Sequence, residues 1–126
     1  MIRYSGLGEI FIIKRFPELA DKVKAETDGY DEFLPHVVFG NIFGSRTASL
    51  LRQDGFLKND ILGRIFDMYE EMSEHGDIET KNLVQTTLLE PLWDDRTTYA
   101  NALKLMGEHT KQLWESIGTY IAVPQK

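Results

Sequence analysis

The sequence contains no cysteine among its 126 residues. Disulfide bonds, cysteine-ligated zinc and a thiol nucleophile are therefore excluded. Long apolar runs are also missing, since the run at residues 10–13 has four residues and a helix that spans a bilayer needs about 20. The N-terminal residues lack the apolar core and cleavage site of a secretory signal. We therefore expect a soluble, cytoplasmic protein.

Positive charge is scarce, and the formal net charge is −6 at pH 7. Residues 1–60 contribute −1 and residues 61–126 contribute −5. Because an acidic field repels phosphate backbones, nucleic-acid binding is disfavoured and a basic protein partner is favoured. A hydrophobic content of 42% is typical of one compact domain and too high for a disordered chain.

Recognised catalytic and cofactor motifs are absent as well. No Gly-x-Ser-x-Gly sequence occurs, and Gly-Leu-Gly at residues 6–8 is only half of a dinucleotide-binding fingerprint. Ser73 lies near His75, but the pattern places both on a helix surface. The sequence predicts no catalytic residue, no cofactor and no enzymatic activity.

The three histidines suggest one alternative, a small metal-dependent enzyme. Glu32 and His36 are four residues apart, as are Glu71 and His75, so each pair could share a helix face. The further inward-facing glutamates of di-iron bundles are missing, and the sequence gives His109 no partner. We predict no metal site.

Apolar residues recur at helical spacing along most of the chain. Residues 5–26 predict a helical pair or one kinked helix, with Ser5 as a cap and Pro17 in a first turn. A strand at residues 10–13 is the competing interpretation, because four consecutive β-friendly residues occur there.

A second helix is predicted to begin at Leu34-Pro35 and to be central, because its apolar residues cover too wide an arc for a surface helix. Gly40 and Gly44 lie four residues apart, and we expect both to allow close approach of another backbone.

Four further helices follow, and the first of them has the clearest pattern, with an apolar face opposite an acidic one. Their predicted caps are Asn59 or Asp60, Asp77, and Asp94 or Asp95, and their predicted ends include His75-Gly76, Pro91 and Gly107. The sequence therefore predicts a single all-α domain over residues 1–126, with five to seven helices in a bundle or in stacked antiparallel pairs. Residues 1–4 and 122–126 are predicted to be frayed tails.

The most informative surface is acidic. Residues 67–79 contain six carboxylates and no lysine or arginine, which indicates either an ordinary solvated face or a docking surface for a basic partner. Trp93 lies among further acidic residues and is either an interface anchor or a core residue. The predicted partner-binding residues are Asp67, Glu70, Glu71, Glu74, Asp77, Glu79, Trp93, Asp94 and Asp95.

Three segments carry a family resemblance: Glu-Phe-Leu-Pro-His-Val-Val-Phe-Gly-Asn at residues 32–41, His-Gly-Asp-Ile-Glu-Thr-Lys-Asn-Leu-Val at residues 75–84 and Leu-Leu-Glu-Pro-Leu at residues 88–92. In these segments the chain resembles a family of small, acidic, helical bacterial proteins that includes immunity proteins of toxin–immunity systems, such as contact-dependent growth inhibition. The resemblance implies that the protein binds and blocks a cognate toxin domain, which in such systems is often a basic nuclease. A helical adaptor that binds a host protein is the first alternative.

Overall fold

The structure is a computed structural model that describes residues 1–125. Within these residues, seven helices form a single domain and no β-strand occurs, which confirms the predicted all-α class. The helices are α1 (Glu9–Arg15), α2 (Ala20–Thr27), α3 (35–51), α4 (Asp60–His75), α5 (78–93), α6 (Arg96–Leu103) and α7 (Glu108–Ile117). Short 3₁₀ turns occur at Tyr4–Gly6, Pro17–Leu19 and Phe56–Lys58.

The first two helices confirm the predicted helical pair, and residues 10–13 are helical. Pro17 begins a 3₁₀ turn that leads into α2, as its missing N–H group allows. The prediction for Ser5 is wrong, because Gly8 occupies the N-cap position of α1 and no side chain caps that helix.

Both α3 and α5 change their winding along their length. Helix α3 passes from an α segment at Pro35–Phe39 through a π segment at Gly40–Gly44 to a second α segment at Ser45–Leu51. Helix α5 begins as an α segment at Ile78–Asn82 and continues as a π segment at Leu83–Leu89. The two π segments pack against each other.

Gly40 lies at this contact, since a Cβ atom there would be 3.3 Å from Thr87 Cγ2. Gly40 is therefore closely approached by a side chain and not by a backbone as expected, and a Cβ atom at Gly44 would meet open space. Pro91 does not end α5 as predicted. It has no N–H group for the α-helical ladder, and the chain continues in a 3₁₀ segment to Trp93.

Helix α3 is central, as its wide apolar arc predicts. Phe39 and Phe43 are fully buried, with ring centroids 5.9 Å apart. Phe43 also lies 5.2 Å from Phe16, and Phe39 lies 6.2 Å from Phe11 of α1. This aromatic cluster joins α3 to the N-terminal helices, and such pairs add about 0.5–1.5 kcal/mol each beyond their burial.

Helix α4 has the predicted limits and supplies much of the core. Asn59 caps it by accepting a hydrogen bond from the Leu62 N–H at 3.0 Å. Its buried face is the predicted apolar one and includes Leu62, Ile65, Phe66, Met68, Tyr69 and Met72. Because this face is fixed in the core, the opposite polar face has a defined position at the surface.

The N-terminal residues 1–4 are not a frayed tail. The Ile2 N–H group donates to the His75 carbonyl at 2.7 Å, and the Asp77 N–H donates to the Ile2 carbonyl at 2.9 Å. The Tyr4 N–H group also donates to the Asp77 carboxylate, at 3.0 Å. These bonds hold the start of the chain against the junction between α4 and α5.

The C-terminal residues 122–125 contain no helix or strand, and Lys126, the end of the second predicted tail, lies outside the described residues. Across residues 1–125, no helix combines the length and apolar character needed to cross a membrane.

Gly76 provides a test of the α4–α5 junction. A Cβ atom at this position would overlap the Met72 carbonyl oxygen and lie 2.8 Å from Thr80 Cγ2. We expect Gly76→Ala to lower the free energy of unfolding by about 1–3 kcal/mol, measured by urea denaturation, because the backbone must shift to admit the methyl group. The matched control is Gly63→Ala in α4, where the space is open and the change should stabilise by up to about 1 kcal/mol. Equal stabilities of the two variants would contradict this account.

Candidate protein-binding surface

The predicted acidic stripe of α4 occupies one arc of the helix, and its members have different environments. Asp67 and Glu74 lie two turns apart in the middle of this arc and are exposed. Glu70 lies at the edge that faces α7, and Glu71 lies at the edge that faces α1. The two edge residues bind other helices, whereas the two middle residues are exposed and Glu74 contacts only the histidines His75 and His109.

Glu70 caps α7 from the side of α4. Its Oε2 atom accepts hydrogen bonds from the His109 N–H at 3.0 Å and from His109 Nδ1 at 2.7 Å. Its Oε1 atom accepts from the Thr110 N–H at 2.9 Å and the Thr110 hydroxyl at 2.8 Å. The N-cap residue of α7 is Gly107, which has no side chain that could accept a hydrogen bond. Glu70 therefore accepts the hydrogen bonds that an N-cap side chain would normally accept.

These bonds favour the charged forms of both partners. Burial acts to raise the pKa of Glu70, but the hydrogen bonds from Thr110 and His109 together hold that pKa below its ordinary value. The hydrogen bond to Glu70 raises the pKa of His109 above its ordinary value, and the charge of Glu74 adds to this effect. Glu70 and His109 therefore form an ion pair that includes a helix cap.

At the other edge, Glu71 pairs with Arg15 of α1. Arg64, one turn before Met68 on α4, pairs with Glu18 and also with Asp60, the latter at 3.1 Å. A groove of about 180 Å³ between α1 and α4 is lined by these two arginines together with Asp67 and Glu71. The acidic face is therefore bordered by positive charge on this side.

Asp77 and Glu79 differ in whether their carboxylates are bound within the protein. Asp77 caps α5 as predicted, because its carboxylate accepts from the Thr80 N–H at 2.9 Å, and these hydrogen bonds lower its pKa. Glu79 is exposed and forms no hydrogen bond or ion pair among residues 1–125. Only Glu79 of this pair has a carboxylate available to a partner.

Trp93 belongs to the core. It is 5% exposed, and its ring centroid lies 4.8 Å from that of Tyr99 and 5.1 Å from that of Trp114. The 3₁₀ end of α5 turns its side chain inward, so the interpretation as a surface anchor is wrong.

Asp95 caps α6 through the Thr98 N–H at 2.9 Å and pairs with Arg52 at 2.5 Å.

Asp94, next to this cap, is exposed and has no ion pair within the described chain. Of the nine predicted binding residues, four therefore combine exposure with the absence of a lysine or arginine partner among residues 1–125. These are Asp67, Glu74, Glu79 and Asp94.

The histidine pairs considered as metal ligands are not assembled. Glu32 precedes the first residue of α3, so it shares no helix face with His36. His36 instead contacts the Thr87 hydroxyl, with Nδ1 at 2.5 Å. His75 lies beside Glu74, with Nε2 and Oε1 3.2 Å apart, while Glu71 is paired with Arg15.

Three other groups meet, namely Glu70, Glu74 and His109, whose ligand atoms lie within 4.8 Å of one another. Glu70 already accepts four hydrogen bonds from the start of α7, so a metal ion would have to compete with the cap.

Sequence reasoning missed the role of His109 as a partner of Glu70. The signal was available, since a helix that begins after Gly107 without a capping side chain requires an acceptor from elsewhere.

A second acidic surface was also missed. A cleft of about 300 Å³ beside the α2–α3 turn is lined by three carboxylates, from Glu9, Asp31 and Glu32, and by Tyr30 and Phe33. No lysine or arginine lines it. Asp31 and Glu32 are adjacent in the sequence, but Glu9 is more than 20 positions away, so the sequence did not reveal the cleft.

Comparison with known proteins identifies the family. Residues 11–120 match the family described as a domain of unknown function (DUF7674), and the chain belongs to that family. No curated protein and no solved structure matches the chain. The family description assigns no activity, so the function has to be argued from the surface described above.

The cap provided by Glu70 can be tested by mutation. We expect Glu70→Ala to reduce the free energy of unfolding by about 1–2 kcal/mol, because it leaves the first N–H groups of α7 without an acceptor. Asp67→Ala, one turn earlier on the same helix, removes an exposed carboxylate and should change stability by less than about 0.5 kcal/mol. Urea unfolding measures both values, and similar losses in the two variants would argue against the cap.

The ion pair also predicts a pH dependence. The stabilisation from Glu70 is present above its ordinary pKa and is lost as pH falls through its lowered pKa. The stabilisation from His109 is complete below about pH 6.5 and is lost as pH rises through its raised pKa. The stability advantage of the wild type over His109→Gln should therefore be larger at pH 5.5 than at pH 9. In a Glu70→Gln background this pH dependence should shrink to the smaller part that Glu74 contributes, and an undiminished pH dependence there would assign it to another group.

Proposed function

We propose that this member of the family is an immunity protein, which binds and neutralises a cognate basic toxin domain in the bacterial cytoplasm. Two features support the proposal: the resemblance at residues 32–41 and 75–84, and a net charge of −6. Because the chain resembles immunity proteins and has no recognised catalytic motif, inhibition by direct binding is the activity that we infer.

The observation that carries the proposed surface is the pair of exposed carboxylates in the middle of α4. Asp67 and Glu74 have no lysine or arginine partner among residues 1–125, although the chain contains 14 such residues. Glu74 has only histidine neighbours, with His75 Nε2 at 3.2 Å and His109 Nε2 at 3.8 Å from its carboxylate oxygens. Exposed carboxylates without a permanently charged partner leave a negative potential outside the protein. Such a potential accelerates the approach of a basic partner and favours it over acidic competitors.

The two carboxylates also stand on a rigid support. The opposite face of α4 is buried in the core, and the cap at Glu70 holds α7 along one edge. Little backbone ordering is then required when a partner binds, which reduces the entropic cost of association. A preorganised acidic face on a helix anchored in this way suits a globular basic domain.

The function can be tested by reading the genes next to the one for this chain and co-expressing the chain with a toxin domain found there; the absence of such a domain would count against the proposal. The proposal predicts that cells producing the toxin domain stop growing and that this chain restores their growth. A helical adaptor would leave the toxin active and would be recovered with a host protein instead. Growth arrest that persists despite production of the folded chain would overturn the immunity function.

The surface is tested separately by reversing charge at the two middle positions. Asp67→Lys with Glu74→Lys should weaken toxin binding at least about tenfold at low ionic strength, because two attractive contacts become repulsive. The affinity of the double variant should also fall less steeply as salt is added, as isothermal titration calorimetry at several salt concentrations would measure.

The matched control is Asp21→Lys with Asp54→Lys, which changes the net charge by the same amount at exposed positions outside α4. Neither control residue forms an ion pair within residues 1–125. If both double variants lose the same affinity, only the net charge matters and the α4 surface is not the binding site. The positions of Glu70 and Glu71 are left unchanged, because reversing them would also disturb α7 and α1.

A further inference from the structure

A cleft between α2 and α3 has a volume of about 460 Å³. This volume falls within the range of about 300–1,000 Å³ that is usual for small-molecule sites. Its polar lining consists of cations, hydroxyl groups and one amide, contributed by Lys22, Asn41, Ser45, Arg46 and Ser49. No acidic residue lines it, although the protein contains 20.

The spacing of these residues explains how one helix face forms the cleft. Asn41, Ser45 and Ser49 follow each other at intervals of four along α3, so their side chains lie on one face. Arg46 lies beside them on the same helix, and Lys22 faces them from α2. The result is a row of hydrogen-bond donors with two positive charges next to it.

Arg46 is the unusual member of this set. Its Nε–H group is buried and has no hydrogen-bond partner, and no carboxylate among residues 1–125 forms an ion pair with it. Arg15, Arg52 and Arg64, by contrast, each bind a carboxylate. A buried guanidinium N–H without a protein acceptor is rare, because leaving it unpaired costs free energy.

The neighbouring carboxylate of Glu26 does not neutralise Arg46. Its Oε2 atom accepts a hydrogen bond from Asn41 Nδ2 at 3.0 Å, and its Oε1 atom lies 3.9 Å from Lys22 Nζ. That distance is at the limit for an ion pair, and both side chains are partly exposed, so the pair is weak. Glu26 orients Asn41 and leaves the charge of Arg46 uncompensated.

We propose that this cleft binds the phosphate group of a small phosphorylated ligand. The planar fork of Arg46 matches two phosphate oxygens, which it can bind bidentately. The hydroxyl groups of Ser45 and Ser49 donate to the remaining oxygens, and Lys22 adds a mobile positive charge at the rim. The proposal concerns a different surface from the acidic face of α4 and does not depend on the proposed function.

Inorganic phosphate is the probe for the test, with acetate at equal ionic strength as a carboxylate comparison. Amide chemical shifts of ¹⁵N-labelled protein are followed during each titration. We expect phosphate to produce saturable shifts centred on residues 41–50, and acetate to produce much weaker ones. Shifts that do not saturate, or that spread over the surface, would overturn the proposal. Saturable binding of acetate with an affinity equal to that of phosphate would identify an unselective anion site and would also overturn it.

Arg46→Gln should weaken phosphate binding at least tenfold, because it removes the charge and the fork. Arg3→Gln, a change of equal charge at an exposed residue outside the cleft, should leave the affinity unchanged. If Arg46→Gln does not fold, Ser45→Ala with Ser49→Ala provides the second variant and should weaken binding severalfold. Unchanged affinity in the folded Arg46→Gln protein, or in the double serine variant, would contradict the proposed contacts.

Discussion

The carboxylate of Glu70 joins the middle of α4 to the first turn of α7, and the arrangement of the acidic surface depends on this contact. It satisfies backbone and side-chain donors of His109 and Thr110 at the same time. A helix that starts at a glycine needs such an acceptor. One acidic residue of the stripe is thereby committed to folding, and α7 is fixed along the edge of the face that the stripe occupies.

The other acidic residues of the predicted surface also fall into two groups, those that stabilise the fold and those that remain exposed. Asp77 and Asp95 cap helices, and Glu71 pairs with α1, so half of the carboxylates that look equivalent in sequence stabilise the fold. The carboxylates that remain exposed are positioned by these structural ones, since α4 cannot rotate while both of its edges are held. The acidic face is consequently small and rigid, as suits recognition of a folded protein. The α2–α3 cleft has the opposite character, because Arg46 and Lys22 line it and no acidic residue does.

Much of the fold follows from local rules that a sequence displays directly. The periodicity of α4, its cap at Asn59, and the first-turn prolines Pro17 and Pro35 depend only on neighbours in the chain. The features that the sequence did not reveal involve distant residues. Glu70 meets His109 39 positions away, Ile2 bonds across the α4–α5 junction, and Trp93 turns inward because Pro91 converts the end of α5 into a 3₁₀ segment. The direction of a side chain and the identity of its partner are tertiary properties, which spacing alone does not determine.

The central claim is that the exposed carboxylates of α4 contact a basic toxin domain. Carbodiimide labelling of carboxyl groups, read by mass spectrometry with and without a toxin domain whose growth arrest the chain relieves, tests this contact directly. The account predicts that Asp67 and Glu74 are labelled much less in the complex, while Asp21 and Asp54 are labelled equally in both samples. Equal labelling of Asp67 and Glu74 in the free and the bound protein would contradict it.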